Sequence, residues 1–131
     1  MAELNAGDAI PELKVTPDDG LTKRYAEASG DPNPIHTDPD FAKQAGLPGC
    51  ILHGLWTMAQ VARASNAAAG GDPRSLKRLE VQFRGMGFPE QEVTVTGVVK
   101  EADGGKAVVD TVAEQNGNQI IRNAEAELEL S

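Results

Sequence analysis

The sequence is poor in cysteine: among its 131 residues there is one, Cys50. An internal disulfide is thereby excluded, and a lone thiol fits a reducing cytoplasm, the compartment expected here. Basic residues are also scarce, with 12 Lys and Arg against 20 Asp and Glu and a net charge of -8. A chain of that sign repels nucleic acid and anionic membranes, so neither is expected as a partner. No apolar run approaches the roughly 20 residues that a membrane helix requires. The opening Met1-Ala2-Glu3-Leu4-Asn5-Ala6-Gly7 has no basic stretch leading into an apolar one, so no secretory leader is expected. Internal repeats and low-complexity linkers are lacking as well. What remains is a chain the size of one domain, 1–131, with an ordinary hydrophobic content of 40%. A chain this long buries roughly two-thirds of its unfolded surface, so it needs no metal or disulfide staple.

The two halves differ in texture. A short strand is predicted over 12–16, where Leu13 and Val15 alternate with polar residues. Thr16-Pro17-Asp18-Asp19 reads as a helix start, and Leu21, Tyr25 and Ala28 share one face of a helix ending at Gly30. Residues 31–37 are predicted non-helical, because Pro32 and Pro34 push their neighbours toward extended geometry. A short helix follows, capped by Asp38 with Pro39 at its first position and Gly46 as its C-cap. A third helix is predicted over 54–69. Leu55, Trp56, Met58, Ala59, Val61, Ala62 and Ala64 make it apolar over most of its circumference, as in a buried helix, with Gln60, Arg63 and Asn66 as its polar stripe. Strands are predicted over 76–84, 92–100, 106–113 and 119–130. Ala102-Asp103-Gly104-Gly105 and Asn116-Gly117-Asn118 supply the hairpin turns. The fold class is α+β: a meander of antiparallel strands with one helix packed on its face.

The chemistry-bearing segment is Tyr25-Ala-Glu-Ala-Ser29-Gly30-Asp31-Pro32-Asn33-Pro34-Ile35-His36. A carboxylate and an imidazole lie five residues apart on a loop stiffened by two prolines. Converging on one water, such a pair acts as acid and base. Five extended residues span about 17 Å, so convergence requires a turn, and Asn33-Pro34 is a place for it. The residues alone leave open a second reading, in which Asp31 ends a turn and His36 is an ordinary loop histidine.

The stretch 25–58 resembles the MaoC-like hydratase/dehydratase family, which includes the (R)-specific enoyl-CoA hydratases. The matching pieces are Ser29-Gly30-Asp31-Pro32-Asn33-Pro34-Ile35-His36, then Asp38-Pro39 with Ala42, then Ile51-Leu52-His53-Gly54. The resemblance implies a hot-dog fold, a long central helix wrapped by an antiparallel sheet, with two subunits joined at their sheet edges. It implies that Asp31 and His36 activate water for syn addition to a trans-2-enoyl thioester, and that the Gly54 N–H polarises the thioester carbonyl. Gly54 stands near a helix start, where free N–H groups and the helix dipole favour a developing negative charge. Asn33 shapes the loop in this reading. Asn33, His53 and Trp56 are taken as substrate-binding, although His53 has no settled role. The implied partners are an acyl thioester of coenzyme A or of acyl carrier protein, and a second hot-dog subunit, identical or not. No cofactor and no metal are expected: Asp31, His36, Asp38 and His53 lack the spacing of a zinc motif.

Two features depart from the family pattern. Arg84-Gly85-Met86-Gly87-Phe88-Pro89-Glu90 replaces a more regular proline-rich turn, and Ala62 stands where some relatives carry serine. Both bear on pocket shape and leave the Asp31–His36 pair intact. Cys50 is expected as a small buried residue. Lys77, Arg78 and Arg84 form the main basic cluster, suited to coenzyme A phosphates or an acidic carrier protein, or equally to a solvated strand edge. Two other functions fit the sequence less closely. One is a hot-dog thioesterase, which would activate water against the carbonyl carbon. The other is the catalytic subunit of a heteromeric 3-hydroxyacyl-carrier-protein dehydratase.

Overall fold

Glycine and asparagine at the hairpin turns set the sheet in the computed structural model, which describes residues 4–130. Residues 1–3, on which part of the leader expectation rests, lie outside that range. Gly104 and Gly105 (φ 58° and 83°), like Asn116 and Gly117 (φ 52° and 78°), take the left-handed backbone that two-residue hairpins demand. They join β3 (Val93–Asp103), β4 (Lys106–Gln115) and β5 (Asn118–Glu129) into an antiparallel meander. β1 (Leu13–Val15) lines the outer side of β3, and an Ala9–Val98 bridge extends that border. The sequence predicts β2 (Leu76–Phe83) as the first strand of the meander, beside β3. It lies instead beside β5, giving a five-stranded sheet in the order β1-β3-β4-β5-β2.

The physical reason for that crossover lies in residues 84–92, which include the Arg84–Glu90 stretch singled out above. The Arg84 and Gly85 N–H groups both donate to the Ile120 carbonyl, at 2.7 and 3.1 Å. A Cβ on Gly85 would lie 2.8 Å from the Gln119 carbonyl oxygen, so only glycine permits this approach. The connection is then fastened to β4 by Gln115, a buried side chain. Its amide accepts from Phe88 N–H at 2.8 Å and donates to the carbonyls of Phe88 (2.8 Å) and Gln91 (3.1 Å).

The core fills the space between sheet and helix. Val93, Val95, Val99, Val109, Ala113, Ile121 and Leu128 point inward from the strands, each at most 2% exposed. They meet Val61, Ala64 and Ala68 of α4 (Gly54–Ala68). The alanines bring the helix close to the sheet, so little bulk is needed to fill the gap. The helix is not buried all round, however. Leu55, Ala59, Arg63 and Ala67, spaced four apart, face outward. The expected polar stripe is correspondingly wrong at Gln60, which is buried, donates to the Trp56 carbonyl and accepts from Arg63 at 2.6 Å. Alanine is small and weakly apolar, so an alanine-rich helix does not announce which face is covered.

The helices before α4 shift from expectation in several places. α1 (Leu21–Ser29) begins after Gly20, because the Asp18 carboxylate is engaged by Gly20 N–H and by Arg24, both at 2.9 Å, ahead of the first turn. Its covered residues are Thr22 and Ala26, with Leu21 and Tyr25 half-buried, while Ala28 is exposed. Gly30 ends it in the left-handed conformation (φ 73°), donating to the Ala26 carbonyl at 3.1 Å. The 31–37 stretch is not wholly non-helical: α2 spans Pro34–Thr37. Pro34 occupies its first turn, where a missing N–H costs nothing, and the Asn33 side chain caps it. α3 (Pro39–Gln44) is capped by Asp38 as expected, and ends at Ala45, one residue before Gly46. Among the described residues, no helix is long and apolar enough to cross a membrane.

Candidate active site

Three side chains from three separate segments meet at the start of α4. Asp31 follows α1, His36 sits in α2, and His53 is the N-cap of α4. One carboxylate oxygen and one nitrogen from each ring lie within 4.8 Å of one another. The turn required by the Asp31–His36 spacing is built from side-chain contacts to backbone. Ser29 Oγ accepts from Asp31 N–H, the Asp31 carboxylate from Asn33 N–H, and Asn33 Oδ1 from Ile35 N–H, at 3.2–3.3 Å. Asn33 therefore spends its side-chain oxygen on the loop. Asp31 is exposed, whereas His36 is 7% and His53 3% exposed, so water reaches the cluster from the aspartate side.

The His36 tautomer follows from its neighbour. Nδ1 lies 2.8 Å from the Ile51 carbonyl oxygen, which can only accept, so Nδ1 carries the hydrogen and donates. In the neutral ring Nε2 then offers a lone pair. The acceptor is itself held, since Ile51 N–H donates to the Ile35 carbonyl at 3.1 Å and Leu52 N–H to the Gly87 carbonyl at 2.8 Å.

His53 lies flat on His36, with ring centroids 3.8 Å apart and planes 20° from parallel. Tyr25 leans against His53 at 4.7 Å, tilted by 49°. Nε2 of His53 faces the backbone carbonyl of Asp31 at 3.4 Å. Burial pushes the His53 pKa below the ordinary histidine value and His36 pushes the same way, against the raising effect of the Asp31 carbonyl and carboxylate. The cluster is poorly shaped for a metal. An imidazole binds an ion in its own plane, and two nearly parallel stacked rings do not converge on one point. Asp38, the fourth residue of that set, accepts from Asp40 and Phe41 N–H at the start of α3.

Beside the cluster lies a cleft of about 280 Å³ lined by Tyr25, Ser29, Asp31, His53, Gly54, Leu55 and Phe83. The His53 side chain makes no cap bond, and the first helical N–H groups, those of Gly54 and Leu55, precede the first bonded one, Trp56 N–H, which donates to the His53 carbonyl at 3.1 Å. Both residues line this space, which therefore lies at the positive end of the helix dipole. A Cβ on Gly54 would sit 3.1 Å from the Phe83 ring, so the glycine lets the ring close over the helix start. Phe83, 55% exposed at the end of β2, has no signal in the sequence that assigns it here; nor has Leu55. Tyr25 and Ser29 lie within the motif, but nothing in their spacing marks them as wall residues.

Other expected residues fall elsewhere. Trp56 is half-buried against the core and is not among the cleft-lining residues. Lys77, Arg78 and Arg84 do not form one cluster. They mark opposite ends of β2, and Arg78 pairs with Glu80 and with Glu127 at 3.7 Å. Cys50 is half-buried, and burial, with Asp38 nearby, raises its thiol pKa.

Comparison with known proteins places the chain in a family. Residues 5–121 match the family model described as a MaoC like domain. Enoyl-CoA hydratase ChsH3 of Mycobacterium tuberculosis is 34% identical over 121 residues, covering 88% of this chain and 40% of that protein. A solved MaoC-like dehydratase superposes with a TM-score of 0.92 at 30% identity, over 98% of this chain and 41% of its own. The (R)-hydratase of A. caviae superposes over 98% of both chains with a TM-score of 0.87; at 23% identity the likeness is one of fold. The chain spans less than half the length of the curated relatives it matches. On the match across 5–121 and the shared architecture, the chain belongs to the MaoC-like domain family and has its hot-dog fold.

Proposed function

We propose that this chain hydrates trans-2-enoyl thioesters to (R)-3-hydroxyacyl thioesters, and catalyses the reverse dehydration. The observation that carries the reading is the meeting of the Asp31 carboxylate and the His36 imidazole beside an open helix start. A water held by both groups gives its oxygen to C3 of the enoyl chain, and its proton to one of the pair. The electron pair of the double bond moves toward the thioester oxygen. The Gly54 N–H and the α4 dipole stabilise the charge developing there. A proton returned to C2 from the same pair arrives on the same face, which makes the addition syn. His36 has its lone pair at Nε2 for this work because Nδ1–H is committed to Ile51. The carrier is coenzyme A or acyl carrier protein, and the lone, half-buried Cys50 suits a cytosolic setting.

The direct test offers the purified chain a series of trans-2-enoyl-CoA thioesters and follows loss of the conjugated chromophore, with chiral analysis of the product. Hydration to the (R) product is expected. Release of free thiol without hydration would instead make the protein a thioesterase, and an (S) product would refute the assigned face of attack.

The chain also leaves one long sheet border open, since β2 has a partner on one side only. Such an edge is usually covered. We propose a dimer, either of this chain or with a second hot-dog subunit. Light scattering that gave a fully active monomer at assay concentration would refute it.

A further inference from the structure

We propose that His53 is a positioning residue: its ring, stacked on His36, fixes the plane of that imidazole and so keeps the acid/base pair in register. The inference rests on the hydratase reading above, in which His36 must aim Nε2 at a water shared with Asp31.

Two constraints locate the His36 ring. The hydrogen bond from Nδ1 to the Ile51 carbonyl fixes one atom at 2.8 Å. One bond leaves the ring free to rock about the line it defines, and rocking sweeps Nε2 away from Asp31. The second constraint is the flat contact with His53 at 3.8 Å, which blocks that motion from one face. His53 is itself confined. It is 3% exposed, Tyr25 covers it at 4.7 Å, and its backbone forms the start of α4, where Trp56 and Thr57 N–H donate to its carbonyl. The stack is thus anchored to the longest helix and not to the loop. The contact from His53 Nε2 to the Asp31 carbonyl is the weaker part, because 3.4 Å is long for a hydrogen bond.

Neutrality of the His53 ring belongs to the same device. If His36 takes the water proton, a neutral flat ring against it tolerates the charge, whereas a second cation would oppose it. The titratable groups facing His53 are His36, Asp31 and Tyr25, and burial outweighs the Asp31 attraction in keeping it uncharged.

The chain has two histidines. With any purification tag removed, a spectrum of histidine labelled with nitrogen-15 therefore contains only these two rings. The wild type is expected to show His36 as a single tautomer with the hydrogen on Nδ1. His53→Ala should leave the hydrogen on Nδ1, which Ile51 still holds, but shift and broaden the His36 ring signals as the ring rocks, and lower kcat on a trans-2-enoyl-CoA by roughly 10–100-fold with KM within about threefold, the scale of a small misplacement. His53→Phe, which keeps a flat ring, should restore both; His53→Gln, which keeps a polar end without the ring, should not. Thermal melts establish that each variant is folded. Unchanged His36 signals and full kcat in folded His53→Ala would overturn the inference while leaving the reaction standing. Rescue by glutamine and not phenylalanine would also overturn it, by moving the weight to the Asp31 carbonyl. A wild type with the fixed tautomer and no hydratase activity would refute the reaction instead.

Discussion

Replacing Gly54 with alanine should separate stability from activity, because one methyl acts on the two in different ways. Gly54 is not among the residues with positive φ, so alanine fits its backbone without strain. At such a position Gly→Ala stabilises by about 0.4–1 kcal/mol through the unfolded chain. Against this stands the contact with Phe83, whose Cε1 and Cδ1 would lie 3.1 and 3.3 Å from the new Cβ. The ring must give by a few tenths of an ångström. It is 55% exposed and free to do so, at a cost of about 0.5–1.5 kcal/mol if it leaves its rotamer. The net change is within about 1 kcal/mol of zero, a melting shift of a few degrees at most. Activity is another matter. In the proposed reaction the thioester carbonyl approaches the Gly54 N–H, and a methyl on the same residue would crowd that approach. Deleting one donor from such a site typically costs about 10²–10³ in rate; alanine keeps the N–H and only hinders access to it, so a smaller fall in kcat/KM, roughly tenfold, is expected on crotonyl-CoA. Pairing Gly54→Ala with Phe83→Leu isolates the packing component: the double variant should recover any lost stability and none of the lost rate. Wild-type kcat/KM in Gly54→Ala would refute the idea that the carbonyl approaches this backbone. A large drop in melting temperature would mean that Phe83 is held far more firmly than its exposure indicates.

Asp31→Asn and His36→Ala should each lower kcat by about 10²–10⁴, and the double variant should resemble the worse single one, since groups sharing a water act as a unit. Multiplying losses in steady-state kinetics would assign the two residues to separate steps. Gln115→Ala removes the partner of the Phe88 N–H and of the Phe88 and Gln91 carbonyls. At about 1–3 kcal/mol for a buried polar group left unpaired, urea denaturation should show a loss of about 2–4 kcal/mol; a loss below about 0.5 kcal/mol would mean that water replaces the amide freely. His53 gives the pH dependence of stability a definite sign. Its pKa is depressed in the folded chain, so the unfolded chain binds the proton more readily. Its contribution is fully present above the ordinary histidine pKa, is lost as pH falls below it, and levels off under the folded value. Denaturant midpoints between pH 7.5 and 5.5 should therefore fall more steeply for wild type than for His53→Gln.

Local rules reached far into this structure. The glycine–asparagine turns fix two hairpins in place, because left-handed backbone has few alternatives. The Asp38-Pro39 start of α3 and the Gly30 stop of α1 are chemical signals confined to a turn, and each is legible from its own residues. The longer reach of Asp31-Pro-Asn-Pro-Ile-His36 is legible as a motif, though not as geometry. Pro34 reads as a helix breaker until Asn33 is seen to cap the turn it opens. What the sequence hides is whatever depends on distant partners. The place of β2 beside β5 is decided by Arg84 and Gly85 bonding to Ile120. The burial of Gln60 depends on which side of an alanine-rich helix meets the sheet. The stack of His53 on His36 joins residues on different elements, and no periodicity connects them. Phe83 reaches the cleft only because the crossover sends the end of its strand there.

That crossover also bears on how the protein can be altered. Surface connections generally accept extra residues at small entropic cost. The 84–92 connection is tied at one end to Ile120, in its middle to Gln115, and through Gly87 to Leu52, next to both the carbonyl that orients His36 and the ring that lies against it. Lengthening it between Gly85 and Gly87 would slacken that tether and carry the disturbance straight into the support of the His36 ring. Loop grafting near the candidate site should therefore keep the length of this segment fixed and vary only the outward side chains, such as Met86, 50% exposed.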